Sequence, residues 1–312
     1  MDLSVIIVTR NTCELAAQAV ASVFDSRDTF TKEVIVVDNG STDDTAAVIP
    51  RKFPAVKYHS AGANLGFARA NNLAAREAAG EFLLLLNSDA RLQPDALANA
   101  IDWLRAHPDC GVAGAQLLNP DGTRQNSIAN WPTLATELLN KSLLRRLFPR
   151  RFPGKEHGLA EPAEVESVVG AFLLTRKRLW DSLGGLDERF FFFLEETDFC
   201  LQARRAGARV VHLPQVKVWH GQGLTARQTP IAARIEYWRS RYLYFQKNLG
   251  ANHCLALRAG LLARLLANLA ANGLAALLTL GLARRCRHKW AEQLALLNWH
   301  FKGCPAEMGL RP

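Results

Sequence analysis

Phe82-Leu83-Leu84-Leu85-Leu86-Asn87-Ser88-Asp89 is the octet that decides the fold of this 312-residue chain. Its apolar part has no polar face, which is typical of a central parallel strand covered by helices on both sides. The run then ends in polar residues, and Asp89 is costly to bury there unless its carboxylate meets a cation or a hydrogen-bond donor. The octet therefore predicts both the middle of a sheet and a candidate ligand for Mg²⁺ or Mn²⁺.

Strand and helix patterns alternate on both sides of this octet through the first 120 residues. Apolar or β-branched runs predict strands, and apolar residues at three- and four-residue spacing predict helices. The predicted strands are 5–8, 33–37, 56–59, 82–86 and 111–118, and helices are predicted at 15–24, after the capping-box residues 41–44, at 67–79 and at 94–106. Repeated β-α units imply an α/β fold with a doubly wound, mostly parallel sheet.

Polar clusters follow three of these strands: Thr9-Arg10-Asn11, Asp38-Asn39-Gly40 and Asn87-Ser88-Asp89. Ligands of such sheets bind outside the carboxyl ends of the strands. Turn chemistry alone explains any one cluster, because Asn, Asp and Gly favour turns for backbone reasons. Three clusters at one edge of a sheet predict a binding site there.

A second acidic cluster, Glu195-Glu196-Thr197-Asp198, follows the apolar run Phe190–Leu194 and starts a predicted helix that ends near Arg205. Neighbouring carboxylates repel one another and raise at least one pKa, which suits a general base. Acidic residues in a first helical turn also stabilise the helix dipole, so both interpretations stay open. Strands at 165–174, 210–213 and 216–220 and a helix at 176–183 complete the predictions for this part.

Several common enzyme classes lose support because their motifs are absent from the sequence. The chain has no GxGxxG, no GKS or GKT, no nucleophile elbow and no HExxH. Dehydrogenases, P-loop NTPases, α/β-hydrolases and zincins are therefore disfavoured. Six cysteines without CxxC or zinc-site spacing are expected to be reduced thiols, and no signal peptide precedes the first predicted strand. Both features favour the cytoplasm.

The net charge of +9 comes from the C-terminal part of the chain. The first 225 residues hold 25 basic and 26 acidic residues, so they predict no nucleic-acid groove. Further on, Leu265–Ala283 is uncharged and nearly long enough to span a membrane, but Arg264, Asn268 and Asn272 form a polar stripe. We expect residues 255–290 to form a basic amphipathic helix on an anionic membrane surface. A packed helical domain and a true span remain alternatives.

Seven segments resemble, in order, the inverting GT-A glycosyltransferases of family 2. They are VIIVTRN, EVIVVDNGSTD, NLGFARANN, LLLLNSDA, VVGAFLLTRKRLWDSLGGLDERFF, LEETDFCLQARRAG and VWHGQG. The resemblance is greatest to the bacterial rhamnosyltransferase-like branch, which builds surface polysaccharides, and it covers about residues 3–225. It implies a GT-A fold with a nucleotide-sugar-binding half at 1–120 and an acceptor-binding half at 121–225. Residues 226–312 then form a basic helical C-terminal region.

The resemblance implies a donor site around the ends of the first strands. Thr9 and Asp38 match positions that hold the ribose and the base of a nucleotide-sugar, and Arg69 suits its diphosphate. Gly66 is expected to let the backbone approach the ligand closely. The complete predicted donor set is Thr9, Asn11, Asp38, Asn64, Gly66, Arg69, Asn87 and Ser88.

The same resemblance implies a Mg²⁺ or Mn²⁺ ion at Asn87-Ser88-Asp89, which matches the metal motif of the family. The usual pattern is Asp-x-Asp, so Asn87 leaves Asp89 as the only carboxylate of the motif. His220 matches a histidine that completes the metal site in several relatives. A structural histidine at the end of a strand is the alternative.

Glu196 matches the general base of the family, and Asp198 is the second candidate. In an inverting reaction the base removes the acceptor proton while the acceptor oxygen displaces the nucleoside diphosphate in one step, without a covalent enzyme intermediate. The acceptor-side loop matches Gly184–Asp187. The predicted acceptor-binding residues are Gly185, Asp187 and Trp180.

These features together predict a metal-dependent, inverting glycosyltransferase. The expected donor is a UDP- or dTDP-linked sugar such as dTDP-rhamnose, and the expected acceptor is a glycan or a lipid-linked saccharide. A sugar nucleotidyltransferase fits less well, because residues 9–14 lack the Gly-rich basic loop that it needs. A GT-A-fold glycan-binding protein with weak or no activity remains an alternative. We expect a cytoplasmic protein that is peripheral to the inner membrane.

Overall fold

The computed structural model describes residues 1–149, 159–221, 229–278 and 284–311. These residues form two compact units, one from 1–131 and 159–221 and the other from 132–149, 229–278 and 284–311. Residues 279–283 of the predicted amphipathic stretch and residues 222–223 of the VWHGQG segment lie outside the described residues. The predicted boundary between a donor half and an acceptor half at residue 120 stays a prediction.

The first unit contains a large sheet with helices on both faces. The strands are β1 (Leu3–Thr9), β2 (Lys32–Asp38), β3 (Lys57–Ser60), β4 (Phe82–Asn87), β5 (Ala90–Leu92), β6 (Cys110–Leu118), β7 (Ile128–Ala129), β8 (Ala163–Glu164), β9 (Ser167–Val168), β10 (Phe172–Arg176) and β11 (Arg209–His220). Their order in the main sheet is β3-β2-β1-β4-β10-β6-β11-β5, with β8 beside β11. Strands β7 and β9 form a separate two-stranded sheet.

The described helices are divided between the two units. In chain order they are α1 (Cys13–Phe24), α2 (Thr45–Lys52), α3 (Phe67–Ala75), α4 (Ala96–Ala106), α5 (Leu134–Leu138), α6 (Lys141–Leu147), α7 (Lys177–Leu183), α8 (Glu195–Arg205), α9 (Pro230–Asn248), α10 (Ala251–Leu278) and α11 (Arg284–Phe301). Helices α5, α6 and α9 to α11 belong to the second unit. The predicted helices of the first unit are confirmed, with ends that differ by a few residues.

Strand β4 lies in the interior of the sheet, as its sequence predicts. Successive leucines of β4 pack into two different cores, one on each face of the sheet. Strand β1 pairs in parallel with both β4 and β2, and the register sets Val8 opposite Asn87 and Thr9 opposite Asp38. The carboxyl ends of the three strands therefore align at one edge, and the polar clusters that follow them converge there.

The sheet is mixed rather than wholly parallel, because β10 runs antiparallel between β4 and β6. The predicted strand 165–174 is interrupted by a turn, so β9 and β10 lie in different sheets. The predicted strands 210–213 and 216–220 are one strand, β11, whose register shifts between Leu213 and Lys217. Pro214 lies in that interval and has no N–H for the ladder, which accounts for the interruption.

The second unit is helical and has its own buried side chains, including Trp299 and Tyr244. Arg241 of α9 donates a hydrogen bond at 3.0 Å to Glu137 of α5, and both side chains are almost completely buried. Within the described ranges, one helical segment is long and apolar enough to cross a membrane by length and composition. It is Ala251–Ala275, whose most apolar part has a mean hydropathy of 1.5 and is 22% buried.

Candidate active site

A chain of hydroxyl groups joins the loop after β1 to the loop after β4. The Thr9 hydroxyl lies 2.9 Å from the Thr12 hydroxyl, which lies 3.1 Å from the Ser88 hydroxyl. Thr9 is only 1% exposed, so its protein neighbours orient it. Two predicted donor-site residues, Thr9 and Ser88, are thus brought together by Thr12, which the sequence analysis did not single out.

The Asp38 carboxylate is held from two sides. Its Oδ1 accepts a hydrogen bond from the Ser41 N–H at 2.8 Å, and its Oδ2 accepts one from the Tyr58 hydroxyl at 2.7 Å. Burial and the Asp38 carboxylate raise the pKa of the Tyr58 hydroxyl, so this group stays protonated and remains a donor. A carboxylate accepts about four hydrogen bonds, so Asp38 keeps capacity for a ligand.

Asn11 ties the loop after β1 to the loop after β2. Its backbone has a φ of 53°, in the left-handed region that Asn tolerates better than most residues. The Asn11 side-chain oxygen accepts a hydrogen bond from the Thr42 N–H at 2.7 Å, and the Asn11 N–H donates to the Ser41 hydroxyl at 3.0 Å. The first and second polar clusters are therefore one connected surface.

Asn39 ties the loop after β2 to the loop before α3. Its Oδ1 accepts a hydrogen bond from the Leu65 N–H at 2.7 Å, and its Nδ2 donates to Asn64 Oδ1 at 3.0 Å. Gly66 has a φ of 81°, and a Cβ atom placed on it would lie 2.5 Å from the Phe191 carbonyl oxygen. A Cβ atom on Gly66 would therefore clash with the backbone of Phe191, and the approach of Gly66 to a ligand stays a prediction.

Asp89 and His220 form the candidate metal site. Strand β5 pairs with the end of β11, and this pairing sets His220 Nε2 3.3 Å from Asp89 Oδ1. Asn87 Nδ2 lies 3.4 Å from the same ring nitrogen. The Asp89 and His220 side chains are 12% and 8% exposed, so both are mostly shielded from water.

The Asp89–His220 pair fits a small divalent ion. Two ligands at right angles on one ion, with bonds of about 2.1 Å, stand about 3 Å apart, close to the separation of these two atoms. No group of three or more His, Cys, Asp or Glu side chains that could hold a metal occurs in the described part of the chain. Phosphate oxygens and water would therefore supply the remaining ligands, as is usual for Mg²⁺.

Helix α8 begins directly after two residues with unfavourable backbone angles. Phe193 and Leu194 have φ values of 73° and 67°, which cost of order 1–3 kcal/mol each outside glycine. The Leu194 carbonyl accepts a hydrogen bond from the Asp198 N–H at 2.8 Å, so the first helical turn closes there. Glu196 consequently lies in that first turn, directly after the strained residues Phe193 and Leu194.

Glu196 Oε2 is buried and has no hydrogen-bond partner among the residues that the structure describes. Burial raises the pKa of the Glu196 carboxyl above its ordinary value of 4.5, because the charged form loses its hydration. The residue as a whole is half-buried, whereas Asp198 is 2% exposed. Gln202 Nε2 also donates to Asp198 Oδ1 at 3.4 Å.

The turn Gly170–Ala171 connects Glu196 with the metal motif. The Asn87 N–H donates to the Ala171 carbonyl at 3.2 Å. On the other side, a Cβ atom placed on Gly170 would lie 3.6 Å from the Glu196 Cβ, an ordinary van der Waals contact. The candidate base and the candidate metal motif therefore flank the same short turn.

Asn72 of α3 holds the acceptor-side loop. Its Nδ2 donates to the Leu186 carbonyl at 2.8 Å, and its Oδ1 accepts from the Leu186 N–H at 2.9 Å. Gly185 has a φ of 77° and packs so closely that a Cβ atom would lie 2.5 Å from Asn72 Oδ1. Trp180 is 3% exposed, and the centroid of its ring lies 5.2 Å from the centroid of the Phe199 ring. Trp180 also lines a small cavity beside Gly185, and its role toward the acceptor stays a prediction.

Arg69 and Asp187 both have ion-pair partners in or next to this loop. Arg69 Nε lies 3.2 Å from Glu188 Oε2, and Asp187 Oδ2 lies 2.7 Å from the Arg189 guanidinium. The Arg69 side chain is 61% exposed, and exposed ion pairs are weak, so a phosphate can compete with Glu188 for it. A cavity of about 160 Å³, lined in part by Glu188 and Gly185, lies between α3 and the loop.

Sequence analysis missed four residues that orient the predicted ones: Thr12, Asn39, Tyr58 and Gln125. Asn39 was visible only as part of a polar cluster, and the other three carried no local signal. Gln125 is the clearest example, because its Oε1 lies 2.8 Å from His220 Nδ1 although the two residues are 95 positions apart.

Comparison with known sequences identifies relatives of this chain. The sequence profile of the family "Glycosyl transferase family 2" matches residues 4–182. An N-acetylglucosaminyl-diphospho-decaprenol L-rhamnosyltransferase of Mycobacterium tuberculosis is 27% identical over 226 residues, which are 68% of this chain and 73% of that enzyme. The O-antigen biosynthesis protein RfbC of Myxococcus xanthus is 29% identical over 219 residues, which are 68% of this chain but 16% of that longer protein.

Solved structures share the fold. The S. aureus TarS fragment 1–349 in complex with UDP has a TM-score of 0.57 at 16% identity, covering 97% of this chain and 92% of that one. The mannosyltransferase PcManGT of Pyrobaculum calidifontis, in complex with GDP-Man and Mn²⁺, has a TM-score of 0.54 at 22% identity, covering 96% and 86%. These likenesses confirm the expected GT-A fold with a helical C-terminal region.

Proposed function

The chain belongs to glycosyltransferase family 2, and from this premise we propose that it is a metal-dependent, inverting rhamnosyltransferase. Sugar transfer from a nucleotide-sugar in glycan biosynthesis is supported by the family and by relatives named as a rhamnosyltransferase and as an O-antigen biosynthesis protein. The proposed donor is dTDP-rhamnose, with UDP-sugars as the alternative donor class. The proposed acceptor is a saccharide on a polyprenyl diphosphate, since the mycobacterial relative is named for such an acceptor.

One observation carries this proposal: the Asp89 carboxylate faces the His220 ring nitrogen at 3.3 Å, at the edge where β1 and β2 end in Thr9 and Asp38. Two groups that both present lone pairs are unfavourable at this distance unless a cation or a proton joins them. Sheets of this type bind nucleotides at that same edge. A divalent ion bound together with a nucleoside diphosphate accounts for the pair and for its position.

The donor would be held by the residues that converge at this edge. Asp38, braced by Ser41 and Tyr58, is assigned to the ring N–H of a thymine or uracil base, and the buried Thr9 hydroxyl is assigned to the ribose. When bound, a Mg²⁺ or Mn²⁺ ion at Asp89 and His220 would supply positive charge to the diphosphate as it leaves. Arg69 adds a further positive charge once it exchanges Glu188 for a phosphate oxygen.

Glu196 is assigned as the general base. It takes the proton of the acceptor hydroxyl while that oxygen bonds to the anomeric carbon and the bond from that carbon to the diphosphate breaks. The electron pair leaves with the nucleoside diphosphate, and the configuration at the carbon inverts. Glu196 is preferred to Asp198 because it is less deeply buried than Asp198 and because burial raises its pKa, which makes it the stronger base. Asp198 is covered and bonded to Gln202.

The proposal is tested by incubating the purified chain with Mg²⁺ or Mn²⁺, dTDP-rhamnose or UDP-sugars, and an N-acetylglucosaminyl diphosphate lipid. We expect rhamnose transfer with inverted configuration, measured by NMR of the product. Asp89→Ala is expected to abolish the metal-dependent thermal shift with nucleotide. Glu196→Gln should lower kcat about 100- to 10,000-fold and keep that thermal shift. Asp109→Asn, an exposed residue paired with Arg209 at the opposite edge of the sheet, is the matched control.

The possible failures of this experiment point to different errors. Transfer with retained configuration would contradict the inverting mechanism and the role of Glu196. Efficient transfer from a different nucleotide-sugar would contradict only the donor assignment. A thermal shift with nucleotide-sugars but no transfer to any acceptor would favour the glycan-binding alternative.

We also propose that the second unit binds an anionic membrane surface, which would bring a cytoplasmic enzyme to its lipid-linked acceptor. Leu139, Leu143 and Leu147, at four-residue spacing, are 56%, 53% and 59% exposed. Residues 139–149 contain three cationic residues, Lys141, Arg145 and Arg146, and no acidic residue, and Phe148 adds an exposed aromatic ring. Helix α10 adds the exposed leucines Leu255, Leu266, Leu274, Leu277 and Leu278.

Flotation of the full chain with vesicles tests this surface. We expect binding to vesicles that contain phosphatidylglycerol, weak binding to pure phosphatidylcholine, and release by high salt, because cations next to an apolar stripe add electrostatic attraction that salt screens. The double variant Leu143→Gln, Leu147→Gln should float poorly, whereas Leu249→Gln should not differ from the unmodified chain. Equal flotation of all three proteins would overturn the proposal, and resistance to salt and alkaline carbonate would favour a span through α10.

A further inference from the structure

We propose that Gln125 is a positioning residue that keeps the hydrogen of His220 on Nδ1 and so directs the Nε2 lone pair toward a divalent ion. The inference rests on the proposed function only for the identity of that ion. Gln125 and His220 are 8% and 7% exposed, so water competes little with the bonds between them.

The neighbours of Gln125 decide the orientation of its amide. Its Nε2 lies 3.0 Å from the backbone carbonyl oxygen of His220 and 2.9 Å from Asn119 Oδ1. A backbone carbonyl only accepts hydrogen bonds, so the end of the amide that faces it must be the NH₂ group. The other end, Oε1, therefore faces His220 Nδ1 at 2.8 Å.

This orientation specifies the tautomer of His220. The amide oxygen of Gln125 can only accept, so Nδ1 carries the hydrogen and Nε2 of the neutral ring keeps its lone pair. That lone pair faces the Asp89 carboxylate at 3.3 Å. Histidines that ligate metals usually donate their other N–H to an oxygen in this manner. Without Gln125, the Asp89 carboxylate would favour the opposite tautomer, because it would accept a hydrogen from Nε2.

The backbone around Gln125 is itself held. Its N–H donates to the Leu117 carbonyl at 2.8 Å, and its carbonyl accepts from Gln116 Nε2 at 3.0 Å and from the Ser127 hydroxyl at 2.9 Å. These bonds anchor the backbone of Gln125 to the end of β6, and the bond from Nε2 to Asn119 holds its side-chain amide independently of His220. An anchored amide can select one tautomer instead of following the ring.

Long-range ¹H–¹⁵N NMR of the metal-free chain, labelled with ¹⁵N-histidine, reads the tautomer directly at a pH where the ring is neutral. The His220 signals are assigned by their loss in His220→Gln. We expect a protonated Nδ1 in the unmodified chain and a shift to protonated Nε2 in Gln125→Met, which keeps the side-chain length and removes the amide. Gln125→Glu keeps an acceptor for Nδ1 and should retain the original tautomer. Gln18→Met, the same substitution at an exposed position of α1, is the matched control.

Binding of Mn²⁺ in the presence of UDP or dTDP, followed by the EPR signal of the free ion, provides the second measurement. We expect Gln125→Met to weaken Mn²⁺ binding about 10- to 100-fold, with the affinities of Gln125→Glu and Gln18→Met near that of the unmodified chain. A protonated Nε2 in the unmodified chain, or an unchanged tautomer and affinity in Gln125→Met, would overturn the inference. Absence of Mn²⁺ binding by the unmodified chain would instead overturn the metal assignment, and the NMR result, obtained without metal, separates the two failures.

Discussion

Replacing Gly66 by alanine tests how the donor loop is joined to the segment before the candidate base. Gly66 has φ 81° and ψ 172°, a region that costs other residues about 1–3 kcal/mol. The new Cβ would also lie 2.5 Å from the Phe191 carbonyl oxygen and 2.7 Å from its ring. One of the two segments must therefore move, and overpacking of this kind costs a further 1–3 kcal/mol, roughly. We expect a loss of about 4 kcal/mol in the free energy of unfolding of the first unit.

Gly62→Ala is the matched control from the same loop. Gly62 also has a positive φ, 68°, but a Cβ atom there would meet no atom of the described residues within 4 Å. Its cost is the backbone penalty alone, about 1 kcal/mol. In a unit of this size each kcal/mol lowers Tm by about 2–4 °C, so Gly66→Ala should melt about 6–12 °C below Gly62→Ala. Thermal unfolding followed by circular dichroism and urea unfolding measure this difference.

The same pair of variants tests the route from Gly66 to the chemistry. The Phe67 N–H donates to the Phe191 carbonyl at 2.8 Å, and Phe191 precedes the strained turn into α8. Displacing Phe191 should therefore misplace Glu196 and lower kcat in Gly66→Ala, while Gly62→Ala keeps its kcat. Equal melting temperatures for the two variants would refute the steric reasoning. A large loss of stability with an unchanged kcat would refute the connection to Glu196.

Burial raises the pKa of Glu196 above its ordinary value of 4.5, and protonation of Glu196 removes the base. In the pH profile of kcat/KM, the loss of activity on the acidic side should therefore have its midpoint above pH 4.5. A midpoint at or below pH 4.5 would contradict this assignment. For the same reason the folded state binds this proton more tightly than the unfolded chain does. The contribution of Glu196 to the free energy of unfolding therefore falls as pH rises from 4.5 through its raised pKa. Urea unfolding at pH 8 should show that Glu196→Gln is more stable than the unmodified chain. Tyr58→Phe removes a hydrogen bond to the Asp38 carboxylate that is worth about 1.5 kcal/mol. Calorimetry should show that the Kd of the nucleotide rises about tenfold, with little change in kcat. An unchanged Kd would contradict the assignment of Asp38 to the nucleotide base. In the helical unit, Glu137→Ala leaves the buried Arg241 without its carboxylate and should cost about 3–5 kcal/mol, whereas Lys141→Ala, on the exposed side of the same glutamate, should change stability by less than about 0.5 kcal/mol.

The parts of the fold that the sequence predicted are those whose signal is local. The apolar run of β4 and the β-branched runs of β1 and β2 predicted three strands of a mostly parallel sheet whose carboxyl ends share one edge, and the structure confirms this and adds that they are neighbours. The start of α8 at Glu195 was predicted from the acidic cluster, and its end at Arg205 from the same pattern. Such patterns predict structure because the periodicity of helices and strands determines which residues of a consecutive stretch are apolar.

The parts that could not be predicted depend on partners that are distant along the chain. The antiparallel direction of β10 between β4 and β6 leaves no trace in the composition of a short apolar strand. The sequence likewise does not distinguish a tryptophan that is buried against Phe199, as Trp180 is, from an exposed aromatic residue near a loop. Gly66 was predicted to let the backbone approach a ligand, which stays a prediction, and only the tertiary structure shows its close approach to Phe191.

By itself, the sequence determined the α/β class, the central strand with Asp89 at its end and the family, because each depends on short motifs and on their order. Only the tertiary structure decided that His220 faces Asp89, that Tyr58 braces Asp38, and that Gln125 holds the far side of the His220 ring. The physical reason is that a hydrogen bond is made between atoms a few ångströms apart in space, and one chain of residues records neither that distance nor the orientation of an amide or an imidazole.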